Sequence, residues 1–212
     1  MSTLTQSPDP LSTLFAPQNA NQTNDLWVQA ASLSGVREWM MLRQSHALEH
    51  ATVWVLGEML AKPSPDPGEQ DDDGEEGNWG GLATDRGFYL YGRVQPPQLA
   101  QAARCALRRL QQGHWQLALH PRCGTSTLAA IALTSSLTLS AALLMPPTPG
   151  AQLLGIGAAA LFAAQIAPEV GLWTQRHLTT ELPLNLKVAR VFPSVDMWGR
   201  TAHFVQVEWC DG

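Results

Sequence analysis

The longest uncharged run in this chain extends from Cys123 through Pro168, which contains no Asp, Glu, Lys or Arg. Within it, Thr125 to Met145 and Ala151 to Ala167 are predominantly apolar, separated by Pro146-Pro147-Thr148-Pro149-Gly150. A helix rises about 1.5 Å per residue and needs about 20 residues to cross the hydrocarbon of a bilayer. The first stretch meets that length. The second, roughly 17 residues to Ala167, is tilted less, ends near the interface, or continues past Pro168. The short uncharged break predicts a helical hairpin of antiparallel transmembrane spans. Ser135, Ser136, Ser140, Gly155 and Gly157 are small enough for the two helices to approach closely in lipid. The rival reading is a soluble protein that buries the hairpin.

Elsewhere the periods differ. From Asp25, a plausible cap, to Leu60, apolar residues recur at spacings of three and four, among them Leu33, Val36, Trp39, Met40, Leu48, Val53 and Leu56. Gly35 divides this segment into a short helix and a longer one. Gly81 to Ala83, an Asp85-Arg86-Gly87 turn and Gly87 to Tyr91 predict two strands. Pro96-Pro97 opens a helix through Leu110 with Leu99, Ala102, Ala103, Ala106, Leu107 and Leu110 on one face. Gly113 stops it, and the alternating HWQLALH predicts a further strand, completing a ββαβ unit. Leu186 to Phe192 and Ala202 to Trp209 also alternate as strands. The fold expected is a mixed α/β membrane protein, a transmembrane hairpin with a small cytoplasmic ββαβ insert. It divides into a polar tail (1–24), amphipathic helices (25–61), an acidic linker (62–79), the α/β insert (80–120), the hairpin (121–170) and a membrane-proximal C-terminal segment with strands (171–212).

Charge refines this picture. Only 15% of residues are charged, and the net charge of −5 is concentrated, because seven acids lie between Asp66 and Glu76. The remainder carries 11 acids against 13 bases, a balance that gives no case for nucleic acid and suits a surface facing anionic headgroups. The acidic tract lacks the spacing of a calcium loop. Arg104, Arg108, Arg109 and Arg122 precede the first span, and Arg176, Lys187 and Arg190 follow the second. The positive-inside rule therefore places both flanks of the hairpin in the cytoplasm, in a plasma or thylakoid membrane. No basic and apolar leader opens the chain, so the internal segments would direct insertion. Three cysteines, Cys105, Cys123 and Cys210, have no paired spacing and point to a reducing compartment.

Candidate chemistry centres on two motifs. His46-Ala47-Leu48-Glu49-His50 is an H-x-x-E-H pattern. Histidines four apart share one helical face and can reach one metal, with Glu49 as the base that activates water or as a further ligand. His120-Pro121-Arg122-Cys123-Gly124-Thr125 adds imidazole and thiol three positions apart in a proline-bracketed turn. His46, His50, His120 and Cys123 are thus candidate zinc ligands, with iron the other metal these donors suit. The bland reading makes His120 a strand cap and Cys123 a small buried apolar residue. Gln175, Thr179 and Thr180 fall at the end of the second span, where with Thr52 and Thr125 they are placed to hydrogen-bond the ligands.

HALEHAT (46–52), HPRCGTS (120–126) and GLWTQRHLTTELP (171–183) together resemble the uncharacterised bacterial membrane family typified by YqhQ, and the whole chain looks closer still to its cyanobacterial relatives of unknown function. The family's first motif is similar to HGAEHKT, so His46, Glu49, His50 and Thr52 match while Ala51 replaces lysine. HPRCGTS matches throughout. In the third motif Gln175, Thr179, Thr180 and Pro183 match and His177 is additional. The resemblance implies a membrane location and a shared polar site, and names no substrate.

Two functions follow. One is a metal-dependent membrane hydrolase, peptide bonds being the first substrate class to consider, with His46, His50 and either Cys123 or His120 as ligands and Glu49 as catalytic base. The other is a non-catalytic assembly or scaffold factor, working with a membrane protein partner, in which the same residues hold a structural metal or a polar network. A haem held by axial histidines is less natural beside Glu49 and Cys123.

Overall fold

The computed structural model describes residues 35–60 and 79–210. The N-terminal tail, the Asp25 cap with the short helix expected after it, and the acidic linker lie outside these residues. The chain divides into two compact units, 1–38 and 39–212. Of the first, residues 35–38 are described. There Gly35, at φ +89°, donates its N–H to the Glu38 carboxylate at 3.0 Å, capping the start of helix α1 (Val36–Leu60).

In the second unit, β1 (Gly80–Thr84) and β2 (Gly87–Tyr91) form a hairpin, followed by helix α2 (Pro96–Gln111) and a short 3₁₀ turn (Trp115–Ala118). Helices α3 (Gly124–Leu144) and α4 (Pro149–Thr174) come next, then a π-helical turn (Gln175–Thr179) and strands β3 (Leu186–Val195) and β4 (Thr201–Trp209). The ββαβ expectation needs correction. HWQLALH forms the 3₁₀ turn, with no strand, so the insert is ββα. The sheet is completed from the far end of the chain, as a four-stranded antiparallel array in the order β1-β2-β4-β3.

Alternation explains the sheet. Phe88, Leu90, Val205 and Val207 turn inward and are buried, while Tyr89, Phe204 and Phe192 stack on the other face with ring centroids 4.7 and 5.7 Å apart. Pro193 lies in β3, an outer strand where a missing donor is tolerated. A register shift between Val188 and Arg190 marks a bulge. The buried face of α2 is the one predicted, and Gln95 N–H meets the Gln98 side chain at 3.4 Å to close its first turn. Leu48, Ala51, Val55 and Leu56 of α1 join α2 and the inner face of the sheet in one core.

α3 and α4 have a different solvent requirement. Both are long and apolar enough to cross a membrane, and α3 contains no buried residue. Leu128, Leu143, Leu144, Leu153, Leu154 and Leu161 stand exposed, up to 82% at Leu144, an apolar surface that lipid accommodates and water does not. α4 runs through Pro168 to Thr174, the longest of the alternatives for the second span. Gly155 lies against Met145 at one end of the antiparallel pair and Gly171 against Ser126 at the other. Gln152 donates to the carbonyls of Ala142, Met145 and Pro146 at the tip, satisfying the end of α3.

Candidate metal centre

The centre of α1 carries an unusual number of buried polar residues for a core helix: Arg43, Gln44, Ser45, Glu49, His50 and Thr52. Buried polar groups persist when something bonds them, and for Arg43 the partners come from the end of the membrane hairpin, whereas Thr52 bonds its own helix and Gln44 Oε1 and Ser45 Oγ have no partner among the described residues. His46 and His50, one turn apart, have ring centroids 4.4 Å apart. Nδ1 of His50 lies 2.7 Å from the Ala118 carbonyl oxygen, and Nδ1 of His46 lies 3.0 Å from that of Thr179. A carbonyl only accepts, so each imidazole donates from Nδ1 and turns Nε2 toward Cys123, where it shares a proton with the sulfur and would offer a lone pair to a metal once that proton is displaced. Fixing the tautomer through the remote nitrogen is the usual support of a metal-binding histidine.

Those lone pairs converge. Cys123, buried at the N-cap of α3, places Sγ 3.3 Å from His46 Nε2. Donor atoms of His46, His50 and Cys123 all lie within 4.8 Å of one another, so the cluster is capable of coordinating a metal ion. In a tetrahedral zinc site with bonds of about 2.0 to 2.3 Å, ligand atoms stand roughly 3.3 to 3.8 Å apart, a spacing that this set reaches with small movements. Glu49 Oε2 lies 3.8 Å from His50 Nε2 and 4.0 Å from His46 Nε2, on the same side as the lone pairs.

Electrostatics agree with the geometry. Burial alone would raise the Cys123 thiol, yet hydrogen bonds from His46, His50 and Thr125 bring its pKa down to about 4, so sulfur is a thiolate. Burial opposes a charge on His50, but its bond to Cys123 and the neighbouring Glu49 carboxylate raise its pKa. Burial raises that of Glu49, against the pull of the two histidines. A proton shared in this cluster occupies the place that a cation would take.

The remaining sequence candidates separate by position. His120 stands beside the cluster, its ring 5.8 Å from that of His50 and 5.2 Å from Trp54, and its Nδ1 accepts the Arg122 N–H at 3.2 Å. Gln175 is fully buried and clamps the HPRC turn: its Oε1 accepts the His120 N–H at 3.0 Å, and its Nε2 donates to the His120 carbonyl at 2.9 Å and to Ser126 Oγ. Thr125 bonds the Cys123 sulfur, and Thr179 acts through its carbonyl. Thr180 Oγ1 donates to the Gln175 carbonyl. Thr52 takes no part, because its hydroxyl is spent on the Leu48 carbonyl of its own helix at 2.7 Å.

Two contributors had no sequence signal. Arg43 donates to the carbonyls of His177 and Thr180 at 3.1 and 2.9 Å and pairs with Glu181 at 3.1 Å, tying α1 to the end of α4. Gly81 of β1 lies so close to Glu49 that an added Cβ would come within 2.1 Å of Oε1. The cluster opens into a cleft of about 890 Å³ whose walls include Trp39, Leu42, Trp54, Gly81 and Leu178.

Residues 41–191, which contain His46, Glu49, His50, His120, Cys123 and Gln175, match the family model described as a domain of unknown function, DUF6391. The chain is similar to an uncharacterized protein of the cyanobacterium Picosynechococcus, 42% identical over 197 residues that cover 93% of each chain. No solved structure matches.

Proposed function

The chain belongs to the DUF6391 family, and on that premise we propose that it is a metal-dependent hydrolase of the membrane interface. Zinc is held by His46, His50 and Cys123, and Glu49 is the catalytic base. One observation carries the reading: two imidazoles with fixed tautomers and a thiolate converge within 4.8 Å at the floor of an open cleft, with a carboxylate alongside. Three protein ligands and an open fourth side are the pattern of a catalytic zinc, whereas structural zinc is enclosed by four. Nitrogen and thiolate donors suit zinc, and iron shares them.

When bound, the metal supplies a Lewis acid that lowers the pKa of a coordinated water. Glu49 takes a proton from the attacking water, the oxygen forms a bond to the substrate carbonyl carbon, the bond to the leaving amine breaks, and Glu49 returns the proton to that amine. The raised Glu49 pKa favours the first transfer, because it makes the carboxylate a stronger base. His120, just outside the cluster, is placed to donate to the substrate carbonyl. Thr125, Gln175, Thr179 and Thr180 hold the ligands in place. Both flanks of the hairpin, and the site with them, are cytoplasmic, in a plasma or thylakoid membrane. Kinship with the YqhQ-type membrane family belongs to the same proposal and is supported by the three shared motifs.

A second reading draws on the 3.8 and 4.0 Å distances from Glu49 to both imidazoles. A small rotation would make Glu49 the fourth ligand, closing a structural site in a membrane assembly factor. Metal analysis of the detergent-purified protein, wild type beside His50→Ala, Cys123→Ala and Glu49→Gln, separates the two. The hydrolase requires about one zinc per chain, lost in the first two variants and kept in Glu49→Gln, which loses hydrolysis. Loss of zinc from all three favours the closed site. A wild type without metal, with each variant folded, removes both.

A further inference from the structure

The cleft has a second wall that the hydrolytic reading leaves unused. β1 is an outer strand, paired with β2 alone among the described residues. Trp79 and the first four residues of β1 line the same cleft as His46, Glu49, His50 and Cys123. In an antiparallel ladder successive residues alternate in direction, so an outer strand keeps every second N–H and C=O pointing away from the sheet. Such edges are normally blunted by a charge, a proline or a bulge. Gly80-Gly81-Leu82-Ala83-Thr84 contains none of these, and its register with β2 is continuous. Gly80 and Gly81 are exposed and carry no side chain of their own to screen the main chain where it passes the site.

Placement adds to this. The contact along the Gly81 Cα–Cβ direction sets the Glu49 carboxylate over the face of β1, beside its outer edge. A strand added to that edge would run about 4.8 Å from β1, inside the cleft. The apolar walls at Trp39, Leu42 and Leu178 offer places for alternate side chains. A lipid or a small ester has no row of alternating donors and acceptors to match this edge; a polypeptide backbone has one.

Resting on the hydrolytic reading, we propose that the substrate is an extended polypeptide segment that adds to β1 as a further strand, carrying its backbone past Glu49 and the His46, His50 and Cys123 cluster. Because Cys123 caps the first span, the segment best placed to enter is an uncharged one leaving the bilayer beside α3.

The test uses full-length protein in detergent and a fluorescein-labelled decapeptide of Leu, Val, Ala and Ser, blocked at both ends, with one N-methylated version for each backbone amide. Binding is read by fluorescence anisotropy on zinc-loaded Glu49→Gln protein and on zinc-free wild type. Strand addition requires that methylation weaken binding about fivefold at every second amide and leave the amides between them unchanged. A flat profile, or no binding of the parent peptide to either protein, overturns it. Cleavage of the parent peptide by zinc-loaded wild type is measured in parallel. Cleavage with a flat profile retains the hydrolase and removes strand addition. Alternation without cleavage retains strand addition and removes the hydrolase.

Discussion

Gly81→Ala adds one methyl group where β1 crosses Glu49. The new Cβ would lie 2.1 Å from Oε1, 2.2 Å from Cδ and 2.5 Å from Cγ of Glu49. Gly81 has no positive φ, so the substitution introduces overlap without backbone strain. Carbon contacts settle at about 3.5 to 4.0 Å, which requires the strand and the carboxylate to separate by on the order of 1 Å. Glu49 has little room to yield, being 9% exposed and within 4.0 Å of both imidazoles. Overpacking of this kind costs about 1 to 3 kcal/mol. At about 2 to 4 °C per kcal/mol for a chain of this size, circular dichroism in detergent should show the melting temperature fall by several degrees. Displacing the base by about 1 Å should lower hydrolysis roughly a hundredfold. Zinc content should stay at the wild-type level, because no donor atom is touched. An unchanged melting temperature and rate would refute the packing of β1 on Glu49, and loss of zinc would show that Glu49 is a ligand.

Gln175→Leu strands the buried polar groups of His120 and the Ser126 hydroxyl that Gln175 now satisfies. It should cost about 2 to 4 kcal/mol in unfolding experiments and weaken zinc binding about tenfold or more, read by competition with a chelating dye. Zinc affinity should also depend on pH. Cys123, with its pKa at about 4, is deprotonated throughout the neutral range, whereas the His50 pKa is raised above 6.5. Metal displaces the His50 proton, so affinity rises with pH and levels off above that pKa. Titration with zinc from pH 8 downward should show the loss beginning above pH 6.5. A loss confined to pH near 4 would assign it to Cys123 instead. For topology, a cysteine replacing Thr148 at the hairpin tip, in a background without Cys105 and Cys210, should react with an impermeant maleimide from the non-cytoplasmic face of sealed cells. Labelling only after lysis would either reverse the orientation or place the tip in a thylakoid lumen, and labelling of the tip in intact cytoplasmic-face-out thylakoid vesicles would establish the reversal.

The elements legible in the sequence are those whose burial follows from local period. α2 has one apolar face and that face is buried. α3 and α4 are apolar on every side and no short-range alternative competes with them. β2 and β4 alternate and form as strands, with Phe88, Leu90, Val205 and Val207 buried. HWQLALH shows where period misleads. Trp115, Leu117 and Leu119 alternate like a strand, but α1 presents donors that need the Ala118 and Leu119 carbonyls: His50 Nδ1 takes the first, and Trp54 Nε1 donates to the second at 3.0 Å. Tertiary demand overrode the local pattern. The pairing of β2 with β4 joins segments separated by both apolar helices and leaves no trace in either. At the site, the i, i+4 histidines were legible because helix geometry brings them together unaided. The HPRC turn was legible as the source of a further donor, and Cys123 does join the histidines, but the choice between Cys123 and His120 was not, since both residues lie in one turn and only its orientation decides which reaches inward.

That orientation is set by the way the second span ends. An α-helix uses each carbonyl to bond an N–H four residues on, and only its last turn leaves carbonyls free. α4 passes into a π turn at Gln175–Thr179, in which the Thr180 N–H reaches back to the Gln175 carbonyl at 2.9 Å, five residues away. The chain then turns extended, and the carbonyls of His177, Thr179 and Thr180 are left without helical partners. α1 supplies those partners: Arg43 takes His177 and Thr180, and His46 takes Thr179. The buried polar face of α1 and the unwound end of α4 thus satisfy one another, and the bond that fixes the His46 tautomer belongs to this exchange. The start of the first span contributes Cys123, held by the Gln175 clamp on the preceding turn. His46 and Cys123 therefore depend on the ends of the two apolar helices, and His50 on the 3₁₀ turn before them, which makes the hairpin part of the site's construction.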